Sequence, residues 1–439
     1  PRLRPVEVRP FVDRGRPVLL LRDPLALTDN VAILPQALGP LLVFMDGTRD
    51  VAALHAALLI RAGVRIAPEI IQHVVDQLDD ALLLENERFA QAYAELLRAY
   101  QSAPFRPPSL AGAGYPAEPA ALGGLLDGYL TGLSVNGAGA DTSIAHIANV
   151  AVQTGLEDVF EQEGQAEIVG LISPHIDYQR GGPVYAGVWG QAADAARAAD
   201  LVIIFGTDHA GSSGRITLTR QHYATPYGVL PTDTEVVDAI ASAIGEEAAF
   251  DEEIHHRGEH SIELAAVWLH HMRHGQPCQV VPILCGSFQH FVDGQADPAT
   301  DAVLEATLDV LRTAISGRRA FVIAAADLAH VGPAFHDPLP IDHVRYAQLQ
   351  RADETLIQTL ACADADAFFD SIAAERDRRN VCGLPPIYLT LRLLGGSARG
   401  RLTGYDRCPA DGANTSFVSV CGVVFNKPTN QKTFNSATR

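Results

Sequence analysis

Three short polar segments, each ending an apolar run, carry residue types that bind metals or move protons: Ser173-Pro174-His175-Ile176-Asp177, Gly206-Thr207-Asp208-His209 and Asp327-Leu328-Ala329-His330. Imidazole and carboxylate are common ligands of zinc, iron and copper, and imidazole titrates near neutral pH. The runs they follow, Ile168 to Ile172, Leu201 to Phe205 and Phe321 to Ala326, read as buried strands. All three segments therefore read as loops leaving the carboxyl edge of one sheet, the edge where open α/β sheets bind ligands. A shared metal or acid–base site is the first expectation.

Local chemistry refines it. Pro174 stiffens the exit of its strand, and Gly181 and Gly182 permit a tight turn into the next helix. Gly206 and Gly211 allow close backbone approach beside His209, and Asp208 is expected to orient a ring nitrogen from behind. A lone histidine in either loop is more often a hydrogen-bonded loop residue; two delivered to one edge favour a common site. In Asp327-Leu328-Ala329-His330 carboxylate and imidazole both face the crevice if the exit is a helical turn, as metal ligand, general base or a plain Asp to His hydrogen bond.

The segment Glu253 to Glu263 adds His255, His256 and His260 just before an amphipathic helix. His255 and His256 read as members of a polar loop, whereas His260 has Glu259 and Glu263 beside it to hold it. His270, His271 and His274, late on that helix, are expected on a solvated face. None of the six cysteines forms a Cys-x-x-Cys pair, a usage that suits reduced thiols better than a disulfide framework. Cys382 stands apart. It precedes Gly383-Leu384-Pro385-Pro386 and an apolar helix, where a thiol can cap the helix, ionise at its amino end as a redox-sensing thiolate, or ligate a metal.

The elements that position these residues alternate. Strand-like runs at 168–172, 201–205, 279–284 and 321–325 are separated by helical stretches at 184–199, 233–244 and 261–272, with a late apolar run at 416–425. That βαβ rhythm predicts an α/β fold with a mainly parallel sheet flanked by helices. Prolines and glycines over 103–116 read as a linker and the start of this body. Upstream, helical spacing over 37–44, 51–60 and 68–78, Asp50 as a cap and a short strand at 81–84 predict a small, mostly helical accessory domain, 1–102, of winged-helix-like form. Residues 428–439 form a polar tail.

With 439 residues, 47% of them apolar, the chain can build an ample core. A net charge of −19 without a basic stripe argues against nucleic acid or anionic membrane as a partner. No apolar run reaches the roughly 18 residues of a membrane span, and the start lacks a signal-peptide core, so a cytoplasmic location is expected.

Taken in order, Ser173-Pro174-His175, Gly206-Thr207-Asp208-His209, Glu259-His260-Ser261-Ile262-Glu263, Asp327-Leu328-Ala329-His330 and Val381-Cys382-Gly383 resemble the Memo family, also called AmmeMemoRadiSam system protein B, over residues 106–427. The resemblance implies a fold similar to class III extradiol dioxygenases and a non-haem metal crevice. His175, His209 and Cys382 would be its ligands, Fe(II) or Cu its metal, and Asp327, His330 and His260 its proton-handling residues. Cys382 in place of the dioxygenase carboxylate softens the site and disfavours catechol cleavage. The family's opening His-Ala-Gly-Ser-Trp-Tyr appears here as Leu110-Ala111-Gly112-Ala113-Gly114-Tyr115, which removes a histidine and a tryptophan. In the amino-terminal domain, Phe44 to Asp50 resembles a turn of PqqD-like peptide-binding domains. Two functions follow: a metal-dependent, dioxygenase-like oxidoreductase, or a non-catalytic module whose crevice takes a peptide or protein. The family name implies radical-SAM and companion proteins as partners, and the ligand is a small molecule or a peptide.

Overall fold

Uninterrupted aliphatic runs form the centre of the larger of two compact units, Pro1–Ala103 and Pro104–Arg439. The computed structural model describes residues 1–136 and 166–428. Four strands, β4 (Ala166–Ser173), β5 (Leu201–Thr207), β9 (Gln279–Cys285) and β10 (Ala320–Ala325), lie parallel in the spatial order β4-β10-β5-β9. Antiparallel strands extend this core on both sides, so the sheet is mixed. β6 (Ile216–Leu218) joins β9. At the other edge β13 (Phe417–Pro428) pairs with β4, β12 (Arg399–Pro409) and β11 (His330–Val331). A hairpin of β7 (Tyr223–Thr225) and β8 (Gly228–Leu230) stands apart.

Strand alternation divides the interior into two layers. On β5, Leu201, Ile203 and Phe205 enter one cluster and Val202 and Ile204 the other. The second layer is closed by α5 (Pro119–Asn136), α6 (Tyr178–Ala198) and α8 (Ser261–Met272). The first is closed by α7 (Thr234–Ile244), α9 (Ala302–Ile315), α10 (His343–Ala361), α11 (Ala365–Ala373) and α12 (Leu384–Leu394). Helices on both faces explain the long apolar runs at the centre of the parallel strands. No helix among the described residues is long and apolar enough to cross a membrane.

The smaller unit contains the three helices expected, α1 (Gly39–Phe44), α2 (Val51–Arg61) and α3 (Pro68–Asp80), and also α4 (Glu87–Ser102). Asp50 caps α2, its side chain accepting from the Ala53 amide at 2.8 Å. The helices pack on an antiparallel meander of β1 (Glu7–Asp13), β2 (Arg16–Arg22) and β3 (Ala32–Pro35), which sequence reading did not find. β1 has no buried residue, so it carries no inside–outside alternation to read. The strand expected at 81–84 reduces to one bridge, Leu3 to Leu84.

The stretch read as a linker is in part structural. Arg106 is wholly buried and bridges to Tyr223, and Ser109, Leu110 and Tyr115 are tied to α8. Beyond Pro428 the polar tail lies outside the described residues.

Candidate metal centre

The three loops leave the carboxyl ends of β4, β5 and β10 side by side, as the βαβ rhythm requires. His175 lies deepest, 2% exposed. Its Nδ1 donates to the Ala325 carbonyl at 3.0 Å, which leaves Nε2 facing the Cys382 sulfur at 3.3 Å. Nδ1 of His209 bonds a Glu259 carboxylate oxygen at 3.0 Å, leaving its Nε2 for the same centre. One donor atom each from His175, His209 and Cys382 lie within 4.8 Å of one another. His260 completes a ring of imidazoles, its centroid 5.4 Å from His175 and 5.0 Å from His209, nearly parallel to the latter.

Charge follows from this packing. Burial opposes a proton on His175, but Asp327 and the Cys382 sulfur outweigh it and hold its pKa at about 9. Burial likewise opposes a thiolate at Cys382, yet His175 and His330 bring its pKa well below the ordinary thiol value. His330 is itself raised: burial works against its charge, while Cys382 and Asp327 favour it. Without a metal the centre thus pairs a thiolate with protonated imidazole at His175, and side-chain exposure rises to 38% at His260 and 40% at His209 at its mouth.

Glu259 is the organising carboxylate. One oxygen takes the His209 amide at 3.1 Å and ring; the other takes the His260 amide at 2.7 Å, the Ser261 amide at 3.0 Å and the His260 ring at 3.1 Å. Burial raises its pKa, but His209 and His260 together hold it well below the usual carboxylate range.

Several expected contacts are replaced by others. Asp208 holds His255, at 2.9 Å from Nδ1, rather than His209. Glu263 holds not His260 but Arg106 at 2.6 Å and the Tyr115 hydroxyl at 2.6 Å. The exit of β10 is not a helical turn: residues 326–329 have no regular structure and lead into β11. Asp327, 1% exposed, uses one oxygen for the amides of His175 (2.8 Å) and Ile176 (3.3 Å), with the other 3.7 Å from His175 Nε2. Gly383, not Cys382, is the N-cap of α12, without a side-chain capping bond. His270 is buried, bonding Thr225 Oγ1 at 2.8 Å, because α8 is enclosed on nearly all sides, and His271 bonds Tyr227 and Asp127.

His256 is fully buried and structural. The Thr217 carbonyl takes a hydrogen from Nε2 at 3.0 Å, and Nδ1 accepts from the Tyr223 hydroxyl at 2.6 Å, so the ring is neutral. Burial pushes its pKa down to about 3. The unfolded chain binds a proton here below about 6.5 and the folded chain does not, so stability falls as pH drops from about 6.5 toward 3. This residue is expected to remove roughly 3 kcal/mol between pH 7 and pH 4. Denaturant titrations of the wild type and His256→Leu check it: the variant's stability should depend less on acid.

Cys382 arrives on a strained loop. Arg376, Asp377 and Asn380 have φ of 56°, 45° and 48°, the left-handed region that costs energy for residues with a Cβ. Arg379 pins this loop by pairing with the buried Asp353 and with Glu375, and its carbonyl accepts the His330 amide at 2.7 Å. No sequence signal marked Arg379. At Gly383 a Cβ would stand 2.3 Å from the Asp327 carbonyl and 2.8 Å from Ala326 Cβ. Gly383→Ala must therefore separate the loops carrying Asp327 and Cys382. It is expected to cost about 1–3 kcal/mol of stability, read by thermal unfolding.

The description Memo-like protein matches residues 106–424, all of the segments above included. The chain belongs to the Memo family. A MEMO1 family protein of Aquifex aeolicus is 25% identical over 430 residues, covering 97% of this chain and 99% of its own length, so the likeness extends through the amino-terminal unit. Similar proteins of Methanosarcina acetivorans, 29% identical over 236 residues, and Methanopyrus kandleri, 26% over 269, cover 53% and 60% of this chain and 76% and 86% of their own. In this Memo chain the sequence signal for Glu259 was its place before His260 at a helix start; its hold on His209 was invisible, because 50 residues separate the two.

Proposed function

We propose that this Memo protein is a metal-dependent oxidoreductase, dioxygenase-like in its use of a non-haem centre, with His175, His209 and Cys382 holding iron(II) or copper. The observation that supports it is the meeting of three donor atoms from three distant loops within 4.8 Å. The donors fit such an ion: two imidazoles present Nε2 because their Nδ1 atoms are committed elsewhere, and the third ligand is a thiolate. Iron or copper held there would supply redox chemistry and Lewis acidity.

The chain's own residues do the rest. Glu259 fixes His209 and His260 against rotation. His260, with Nδ1 tied to Glu259, holds or moves a proton at Nε2 near the mouth. His330 and Asp327 hold charge beside the sulfur and His175. The mouth between His209 and His260 admits a small molecule or a peptide side chain.

Elemental analysis of protein purified anaerobically, without a metal-affinity tag, should find iron or copper at near-stoichiometric amounts. Iron(II)-loaded protein should then consume O₂ faster than free iron. A folded protein that takes up neither iron(II) nor copper(I) would overturn this reading and favour a crevice that only binds a peptide or protein partner.

A further inference from the structure

Outside the ring of donors Arg106 is a buried side chain with several hydrogen bonds, and its contacts lead back to that ring. Its Nε donates to the His256 carbonyl at 2.6 Å, one terminal nitrogen donates to the Glu259 carbonyl at 2.8 Å, and the other lies 2.6 Å from Glu263. The guanidinium therefore joins the two ends of the turn 256–259 to the first turn of α8. Neither Arg106 nor Glu263 is open to water, with side chains 0% and 1% exposed.

The other side of Glu263 is equally occupied. Its carboxylate accepts the Ser109 amide and hydroxyl and the Leu110 amide, each at 2.8 Å, and the Tyr115 hydroxyl at 2.6 Å. The segment 106–115 is thus a strap laid on α8, with the Arg106 backbone paired to His222 and Ala224. The strap ends on the carbonyl of the residue whose carboxylate holds His209 and His260.

We infer that Arg106 is a positioning residue for the metal centre: its fork sets where Glu259 stands, and through Glu259 the orientation of the His209 and His260 rings. The inference rests on the metal-site reading above. A planar five-donor fork satisfies two carbonyls and a carboxylate at once, and a lysine ammonium cannot reproduce that geometry. Removing it leaves buried acceptors without donors at the base of the turn, and the turn shifts to find them.

The test uses the full chain with cobalt(II) as the probe and ¹⁵N-histidine NMR as a second, metal-free readout. Arg106→Lys is expected to bind cobalt(II) about tenfold more weakly, the cost typical of losing an outer partner of a ligand, with a changed visible spectrum. In the metal-free protein, the ring signals of His209 and His260 should lose the sharp, Nδ1-protonated form that Glu259 imposes. Leu308→Ala, in the opposite core layer, controls for general loosening and should lower the melting temperature without moving either readout.

Unchanged affinity, spectrum and ring signals in Arg106→Lys would overturn the inference, as would equal shifts in Leu308→Ala. Should Arg106→Lys fail to fold, Tyr115→Phe, which removes one bond to Glu263, is judged by the same signals. If the wild type takes up no cobalt(II), the metal reading is decided separately by the iron(II) and copper(I) uptake described above. The histidine signals of the metal-free protein then decide the positioning role alone.

Discussion

Cys382→Ala and His175→Gln proteins, purified anaerobically beside the wild type, are each expected to lack the iron or copper proposed for the wild type. Affinity should fall by more than about 100-fold, beyond the 10–100-fold typical of an outer-shell partner. The Cys382 sulfur is the anionic member of the donor set, and His175 Nε2 stands 3.3 Å from it. Without the thiolate two imidazoles remain, a set with no negative charge to offset a cation's desolvation. A readout without metal comes from His175 itself. Its pKa of about 9 rests on Asp327 and Cys382 against burial, so Cys382→Ala should bring it down toward the ordinary imidazole value, followed by NMR titration. Retained metal in a folded Cys382→Ala protein would remove the thiolate from the ligand set.

Glu259→Ala should cost the most stability of any substitution near the centre, about 3–5 kcal/mol. Its carboxylate receives three backbone amides and two imidazoles, and all five lose a buried anionic acceptor together. A drop of about 4–7 °C in melting temperature is expected for a unit of this size. Glu259→Gln keeps the shape but turns an amide N–H toward donors, so it should recover only part of the loss.

The pH dependence of this contribution has a definite sign. The folded carboxyl titrates well below its unfolded value of about 4.3, so the stabilisation is present above that value and lost as pH falls through the lower, folded one. Denaturant titrations between pH 7 and pH 3 should show a shallower acid dependence in Glu259→Gln than in the wild type. Equal slopes would mean that Glu259 is not ionised in the folded chain.

Much of the larger unit was legible because its signals are local. An aliphatic run such as Leu201 to Phe205 can only be buried on both faces, and a polar segment with glycine after it can only be a strand exit. The same logic placed α8 at Ser261–Met272 and brought His175, His209 and His330 to one edge. It failed where burial followed from distant neighbours. His270 reads as solvated on a late helical turn, yet α8 is covered around nearly its whole circumference. Prolines and glycines near Arg106 read as a linker, because a buried guanidinium has no pattern in its own neighbourhood. The smaller unit's meander was missed because an exposed edge strand lacks alternation, while the helices beside it were periodic.

Residue types and their order along the chain determined by themselves that this protein has an α/β body with histidines at the strand ends, and the same motif series carried the resemblance to the Memo family. Tertiary structure decided which of those histidines meet. Cys382 lies 207 residues from His175 and reaches it only because the loop pinned by Arg379 packs against the exit of β10. It also decided that Glu259 serves His209 while Asp208 serves His255, a choice between carboxylates that adjacency in sequence would have reversed. The reason is physical: strand periodicity is written in neighbouring residues, whereas a hydrogen bond between buried side chains is set by the packing of whole elements against one another.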